Sequence, residues 1–581
     1  CWLRIPAVSV SMAGHGPGPS ARGGAGRLLR VFSCDSRRRA PSGEGLRFEW
    51  RDGRLLHATV PPNRWCITRS DLADFRHDVR AAMERGAIVP VEDDDFDPRD
   101  DHAGPTMETV NRQLIMPVSA AHGHASWALL LHPDGLQCDI FVTHCWREGV
   151  FEFLDKVLYS WPRRAACAYC CMLSNPQTLD IAGLLEDPQR SPFAQALRSA
   201  HSVLVVPNRD VSVYTRIWCV YEAFLAYSWD KPIYTATMPP PSIKIRALAV
   251  VVRFMLCFAL GYCILPPFAH EHSDCMFLGF MIPLVVASLY LRAPSARILI
   301  NEVGIITCAL AYSERAHTAF DRRDLEEVGY CAAVGGSLCA FFACREADRL
   351  WAAQAEIEAQ RLRTGFIGRL QDAASSVARD RDTILAAIAA QGLERKVERA
   401  IEILIVAGLS TPGLRSCAAL GVDVSGAGSW SLGMVFGPIS MFVVAPITHI
   451  LLQRSCGELT PLADVGSALV ALEGFSWVLK FARLGPDRRG FVASFGTLVG
   501  FLPHCMIFAA LTVAGVGCAG RVTDAVGLVT TLPLLLLSQW RGIDFFVAAP
   551  YIGPRFVRSL MHPLRNDRAA RWRPARSASW A

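Results

Sequence analysis

The sequence predicts a small α/β domain with a parallel sheet, followed by an all-α membrane region of several crossings. Three observations predict it. Of 581 residues 51% are hydrophobic and only 19% charged, more apolar than an ordinary water-soluble chain of this length. That excess falls almost entirely after residue 244. Between residues 138 and 236, short β-branched and aromatic runs alternate with stretches of helical spacing. The net charge of +6 is modest and its one concentrated basic tract is C-terminal, so nucleic acid is not an expected partner. The 20 cysteines are scattered through apolar runs, which favours buried thiols over a disulfide framework.

Residues 1–125 are expected to be largely disordered or irregular. The stretch 14–45 is Gly, Ser, Pro and Arg, with too little to bury, and no apolar signal segment follows Met12. Glu92, Asp93, Asp94, Asp95, Asp97, Asp100 and Asp101 form an acidic block. Without the glycine-punctuated spacing of a calcium loop, it reads as a solvated turn rather than a metal site.

An α/β domain is expected over 126–240. CDIFVTHCW, from Cys138, reads as a buried strand, and Val150, Phe151, Leu154, Val157 and Leu158 mark a helix over 148–160. ACAYCCMLS, ending near Asn175, reads as a second strand. A short helix over 191–200 has Pro192 in its first turn, and HSVLVVPN is a third strand. Residues 215–225 read as a helix with Thr215 as N-cap, and KPIYTA as a fourth strand. Cys167, Cys170 and Cys171 have one metal-like interval but no second pair, so no zinc site is expected; His122 and His124 are a weaker pair still. Neither a P-loop nor a dinucleotide fingerprint is present.

The opening strand 139–146, the Val-Val-Pro-Asn strand end at 205–208 and Arg-Ile-Trp-Cys-Val-Tyr-Glu at 216–222 resemble the Toll/interleukin-1 receptor (TIR) domain, in the divergent form of algal and protist membrane proteins. The resemblance covers residues 138–236 and implies a flavodoxin-like parallel sheet. Some TIR domains cleave NAD with the glutamate of the Trp-Cys-x-x-Glu helix, so it implies a catalytic role for Glu222. NAD would then be a substrate, with no prosthetic group. Trp146 and Tyr221 are candidates to stack on a ring, Arg147 and Arg216 to meet the pyrophosphate, and His144 to act as a base. Each has a plainer rival: Trp218 and Cys219 as core, His144 as packing, Asp139 as structural. Glu222 lies four residues after Trp218, on the same helix face.

Four crossings are expected over 245–344: 247–265, 275–291, 298–312 and 328–344. The third is short and carries Asn301 and Glu302, which suits a tilted or re-entrant helix. Residues 345–400 read as a polar cytoplasmic helical segment. The apolar run 401–409 is too short to cross alone, but the region 401–545 is expected to hold about four further crossings, at 432–452, 465–481, 491–516 and 525–537. The tail 546–581 is arginine-rich and expected to touch anionic lipid. Basic flanks, including Lys244, Arg246, Arg292, Arg297, Lys480 and Arg483, put both termini in the cytoplasm of an integral, multispan membrane protein.

Three functions remain open on the sequence. One is a membrane-anchored signalling protein that hydrolyses NAD. A second is a receptor or scaffold that self-associates through its TIR-like domain. The third is a transporter or channel, for which Arg253, Glu302 and Glu473 are the intramembrane charges.

Overall fold

The computed structural model describes residues 48–264, 294–321, 323, 325–375, 377–419, 424, 427, 428, 432 and 433. Its centre is a mixed sheet of six strands, β1 (Ile67–Thr68), β2 (Ile140–Thr143), β3 (Cys167–Cys170), β4 (Ser202–Val205), β5 (Ile233–Thr235) and β6 (Leu409–Ser410), in the order β1-β3-β2-β4-β5-β6. The four inner strands are parallel: Ile140 pairs with both Ala168 and Ser202, and Val203 with Ile233. The two-residue edge strands β1 and β6 run antiparallel to their neighbours.

The strands β2, β3 and β4 are fully buried and largely apolar because both of their faces are covered, whereas Tyr234 and Thr235 of β5 are half-buried. Ile140, Val142, Ala168 and Leu204 face the helices α1 (Arg69–Glu84) and α2 (Val150–Ser160), meeting Leu72, Phe75, Val79, Phe151, Leu154 and Val157. Phe141, Tyr169, Val203 and Val205 face the other way. The second strand ends earlier than its composition suggests. At Cys171 the chain turns into a one-turn helix, α3 (Cys171–Ser174), because the Ser174 hydroxyl accepts the Cys170 N–H (3.0 Å) and Asn175 N–H bonds the Cys171 carbonyl (3.0 Å).

On that second face lie α4 (Pro192–Ser199), capped by Ser191 with Pro192 at its first position, and α5 (Ile217–Ser228). Thr215 does not cap α5. It lies in a 3-10 turn and donates its hydroxyl to the Ser212 carbonyl (2.7 Å), while the Ile217 N–H at the helix start is satisfied by the Ala374 carbonyl (2.9 Å).

Residues 1–125 are described from position 48 onward, and from Gly53 on they carry helices and strand β1. Helix α1 begins with a reciprocal capping box between Thr68 and Asp71 and lays Phe75 and Val79 into the core. The acidic block forms turns: Asp94 accepts from the Thr106 N–H and hydroxyl at 2.8 Å, Asp100 from the His102 N–H at 2.7 Å, and Asp101 pairs with Arg80.

Among the described residues three helices are long and apolar enough to cross a membrane: α6 (Ile243–Ile264), α7 (Pro294–Asp321) and α8 (Leu325–Arg363). The short span expected at 298–312 is therefore part of a continuous 28-residue helix. Arg253 of α6 pairs with Glu302 of α7 at 2.6 Å, and an added Cβ at Gly261 would run into Ser313 and Leu310, so α6 and α7 are parallel. Asn301 bonds the Phe342 carbonyl and Arg315 lies over Tyr330, so α7 and α8 are antiparallel. The expected span 275–291, those from residue 434 onward, Glu473 and the basic tail lie outside the described residues.

With 39 residues, α8 is about 58 Å long. Its apolar half packs on α6 and α7, and its polar half docks on α2. There Trp351 stacks on Tyr159, and buried Glu358 accepts from buried Lys156 at 2.9 Å. Next come α9 (Ala378–Ala390) and α10 (Glu394–Ala407), both packed on α5. The apolar run 401–409 is thus core and edge strand of the α/β domain, with Ile401 and Leu404 fully buried. Ile401→Val should lower the domain's stability by about 1 kcal/mol, the usual cost of one deleted methylene. A thermal midpoint unchanged by the substitution would contradict that packing.

Candidate functional site

In an open α/β sheet, a crevice forms at the carboxyl ends of the strands where connections leave a central strand in opposite directions. Here that strand is β2, flanked by β3 and β4. Its carboxyl end supplies Thr143 and His144, which side-chain alternation sends to opposite faces.

On the α5 side, Thr143 lies beside Glu222. The Glu222 residue is 6% exposed, and neither its Oε2 nor the Thr143 hydroxyl has a hydrogen-bond partner. Burial pushes the Glu222 carboxyl up to about 8, with the nearby Thr143 hydroxyl and the Arg216 guanidinium pulling the other way. A buried carboxyl with an unsatisfied oxygen costs stability, and perturbed groups of this kind are candidates for a functional site.

On the α2 side, the His144 ring is buried against Phe153 (4.8 Å between centroids) and is held at both nitrogens. Its Nδ1 lies 3.1 Å from Oε1 of Glu148, and its Nε2 lies 3.0 Å from Sγ of Cys171. A second sulfur, of Cys170, is 4.0 Å from Nε2, and the Cys219 thiol donates to the His144 carbonyl at 3.6 Å. Burial pushes the Glu148 carboxyl well above the carboxylate range, while the charges of Lys156 and Arg216 oppose it. Arg216 is half-buried at the start of α5, and its charge is felt at Glu148, Cys171 and Glu222 alike.

Of the residues singled out in the sequence, the structure brings Glu222, Arg216 and His144 around the end of β2. It places the others apart. Tyr221 is fully buried, stacked on Phe224 (5.7 Å) and edge-on to Trp218, and burial pushes its phenol up to about 12. Trp146 is half-buried against the core of the α1 and α2 face, and Arg147 is exposed. Trp218 is half-buried with its indole N–H on Asp380 (3.1 Å), and Cys219 is core. Asp139 sits at the opposite end of the sheet, accepting the Ala166 and Cys167 N–H groups.

Thr143, Glu148 and Cys171 are additions. A sequence signal existed only for the pair His144 and Glu148, four apart, but they fall in a loop where that spacing carries no helical meaning. Among the described residues no group of three or more ligand side chains is arranged to hold a metal. No protein-family model matches the chain, and no curated protein or solved structure matches it either.

Proposed function

We propose that the chain is a membrane-anchored signalling protein whose TIR-like domain hydrolyses NAD, with Glu222 as the catalytic carboxylate. The observation that carries this reading is a buried carboxyl, one oxygen unpartnered, beside the carboxyl end of the central parallel strand. The order of the parallel strands, β3-β2-β4-β5, supports the flavodoxin-like arrangement that the resemblance implies.

In this reaction the bond between nicotinamide nitrogen and ribose C1′ breaks and its electron pair leaves with neutral nicotinamide. The oxocarbenium centre left behind is stabilised by the Glu222 carboxylate, and water adds at C1′ to give ADP-ribose and a proton. Arg216 is the cation placed to meet a phosphate oxygen. The cationic substrate itself favours ionised Glu222, so its binding lowers the group's elevated value. Accordingly kcat/KM should rise with pH up to about 8, and kcat should level off at lower pH.

The membrane region supports an anchor. The pairing of Arg253 with Glu302 gives both charges a structural partner, which removes two of the three charges that favoured a transporter. The polar half of α8 reaches the α/β domain, where Trp351 stacks on Tyr159. The α/β domain and the polar helices α9 and α10, which pack on α5, share one side of the membrane. The basic flanks make that side cytoplasmic.

The test uses the full chain in lipid nanodiscs, because strands β1 and β6 and helices α8 to α10 all complete the domain. Incubated with NAD it should release nicotinamide, and Glu222→Gln should lower kcat at least about 100-fold. Equal activity of the variant would overturn the assignment of Glu222. No release by the wild type, even when clustered, would favour the self-associating scaffold; solute or ion flux in liposomes would favour the transporter.

A further inference from the structure

The cluster on the α2 side of β2 is not used by the proposed NAD chemistry. It has the three parts of an activated nucleophile: a thiol, an imidazole within hydrogen-bonding distance of it, and a carboxyl that fixes the imidazole. Cys171 Sγ is 3.0 Å from His144 Nε2, and His144 Nδ1 is 3.1 Å from Glu148 Oε1. Neighbouring thiols do not share the position. Cys145, Cys170 and Cys219 are buried, whereas Cys171 is partly exposed. Accessibility and the short contact to the imidazole therefore coincide at one sulfur.

The backbone fixes that sulfur in place. Cys171 opens a turn directly after a parallel strand, so its side chain emerges at the carboxyl edge of the sheet. The Gln177 amide locks the turn by donating to the Cys171, Met172 and Asn175 carbonyls at 3.1–3.2 Å. The ring of His144 is clamped by Phe153, and the carboxyl of Glu148 is 95% buried at the side-chain level. Lys156, itself buried, lies close enough to favour the ionised form of Glu148. Burial outweighs that pull and holds the Glu148 carboxyl neutral, yet its carbonyl oxygen still accepts the Nδ1 proton and leaves Nε2 free to take the proton of the thiol. The Arg216 charge beside Cys171 favours an oxyanion there.

We propose that Cys171, His144 and Glu148 form a nucleophilic thiol centre that takes an acyl group from an activated carboxyl derivative, an ester or thioester, and passes it to water. His144 removes the Cys171 proton as sulfur bonds to the carbonyl carbon. Collapse of the tetrahedral intermediate breaks the bond to the leaving alcohol or thiol, which receives that proton. Water then adds to the acyl-enzyme, the carbon–sulfur bond breaks, and the carboxylic acid departs as the thiol is restored. Glu148 is a positioning residue: it touches neither substrate nor sulfur.

The experiment treats the full chain in nanodiscs with p-nitrophenyl acetate and, in parallel, phenyl thioacetate. The expected result is a burst of about one leaving group per chain, with the acetyl group mapped by mass spectrometry to Cys171. Cys171→Ser should abolish the burst, and His144→Gln should slow it about 10²–10⁴-fold, the usual range for a general base. Glu148→Gln should flatten the dependence of the burst rate on pH, which a merely structural role would not do. Cys263→Ala, removing an exposed thiol in α6, should leave the burst intact. Acetyl found on Cys263 or on lysines and not on Cys171 would overturn the proposal. So would a burst that survives Cys171→Ser. The map of the wild-type chain decides the matter even if a variant fails to fold.

Discussion

Lys156→Met is expected to destabilise the docked arrangement of the α/β domain on α8 by about 3 kcal/mol, the lower end of the cost of breaking a buried ion pair from one side. Lys156 is fully buried, and its ammonium donates to the Pro207 carbonyl (2.7 Å) and the Glu358 carboxylate (2.9 Å), with Glu152 at 3.2 Å. Removing it leaves Glu358, 1% exposed, with only Gln354 and Arg361 as partners, and strips the Pro207 carbonyl of a donor. The lower end applies because Arg361 and Arg209 still balance Glu358 and Glu152 in charge. Trp351, stacked on Tyr159 5.8 Å away, reports on this joint: its fluorescence and the protease resistance of the 345–363 segment should change together. Replacing both partners, Lys156→Met with Glu358→Leu, should recover most of the loss, since apolar pairs of similar volume often substitute for buried ion pairs. A single variant that melts and docks like the wild type would show that the pair contributes nothing.

The same lysine ties the membrane region to the site. It bonds the carbonyl that follows β4 and its charge acts on Glu148, so a shift of α8 along α2 changes the field at the carboxyl that orients His144. This joint is invisible in the sequence, because Lys156 and Glu358 are 202 positions apart, with α6, α7 and most of α8 between them. What was legible follows a simple rule. Strands covered on both faces read as apolar runs, so β2 and β4 stand out, while the two-residue edge strands carry no periodicity at all. Residues 401–407 look membrane-like because they are apolar, yet they serve the same core as Ile217 and Phe224; only their partner distinguishes the two uses. At the site, Glu222 and Arg216 were found through a motif. Cys171 was missed because its run, CAYCCML, reads as one strand, and the break after Cys170 depends on a side-chain hydroxyl four residues on. Thr215 was read as an N-cap on residue type alone, whereas the first N–H of α5 bonds a carbonyl contributed from residue 374.

Glu222→Gln is expected to change stability in a manner that depends on pH, and by more at high pH than any other single substitution considered. In the folded chain the Glu222 carboxyl titrates near 8, whereas in the unfolded chain it titrates near the ordinary 4.5. Between those two values the folded state holds a proton that the unfolded state has released. Stability therefore falls as pH rises through this window, the reverse of a salt-bridged carboxylate. At about 1.4 kcal/mol per pH unit, the full difference is on the order of 5 kcal/mol at pH 8 and above, and nothing below pH 4.5. Glutamine carries no proton to lose, so the variant lacks this slope whatever constant offset its amide introduces. Melting midpoints of the two proteins, compared at pH 5, 7 and 9, should thus diverge progressively in favour of the variant. A difference that stays constant from pH 5 to 9 would mean that Glu222 titrates as an ordinary carboxylate, which would remove the argument from its burial. Addition of NAD supplies the complementary measurement: a cation beside Glu222 favours the ionised form, so the wild type should gain more stability from NAD at pH 9 than at pH 5, and the variant should gain equally at both.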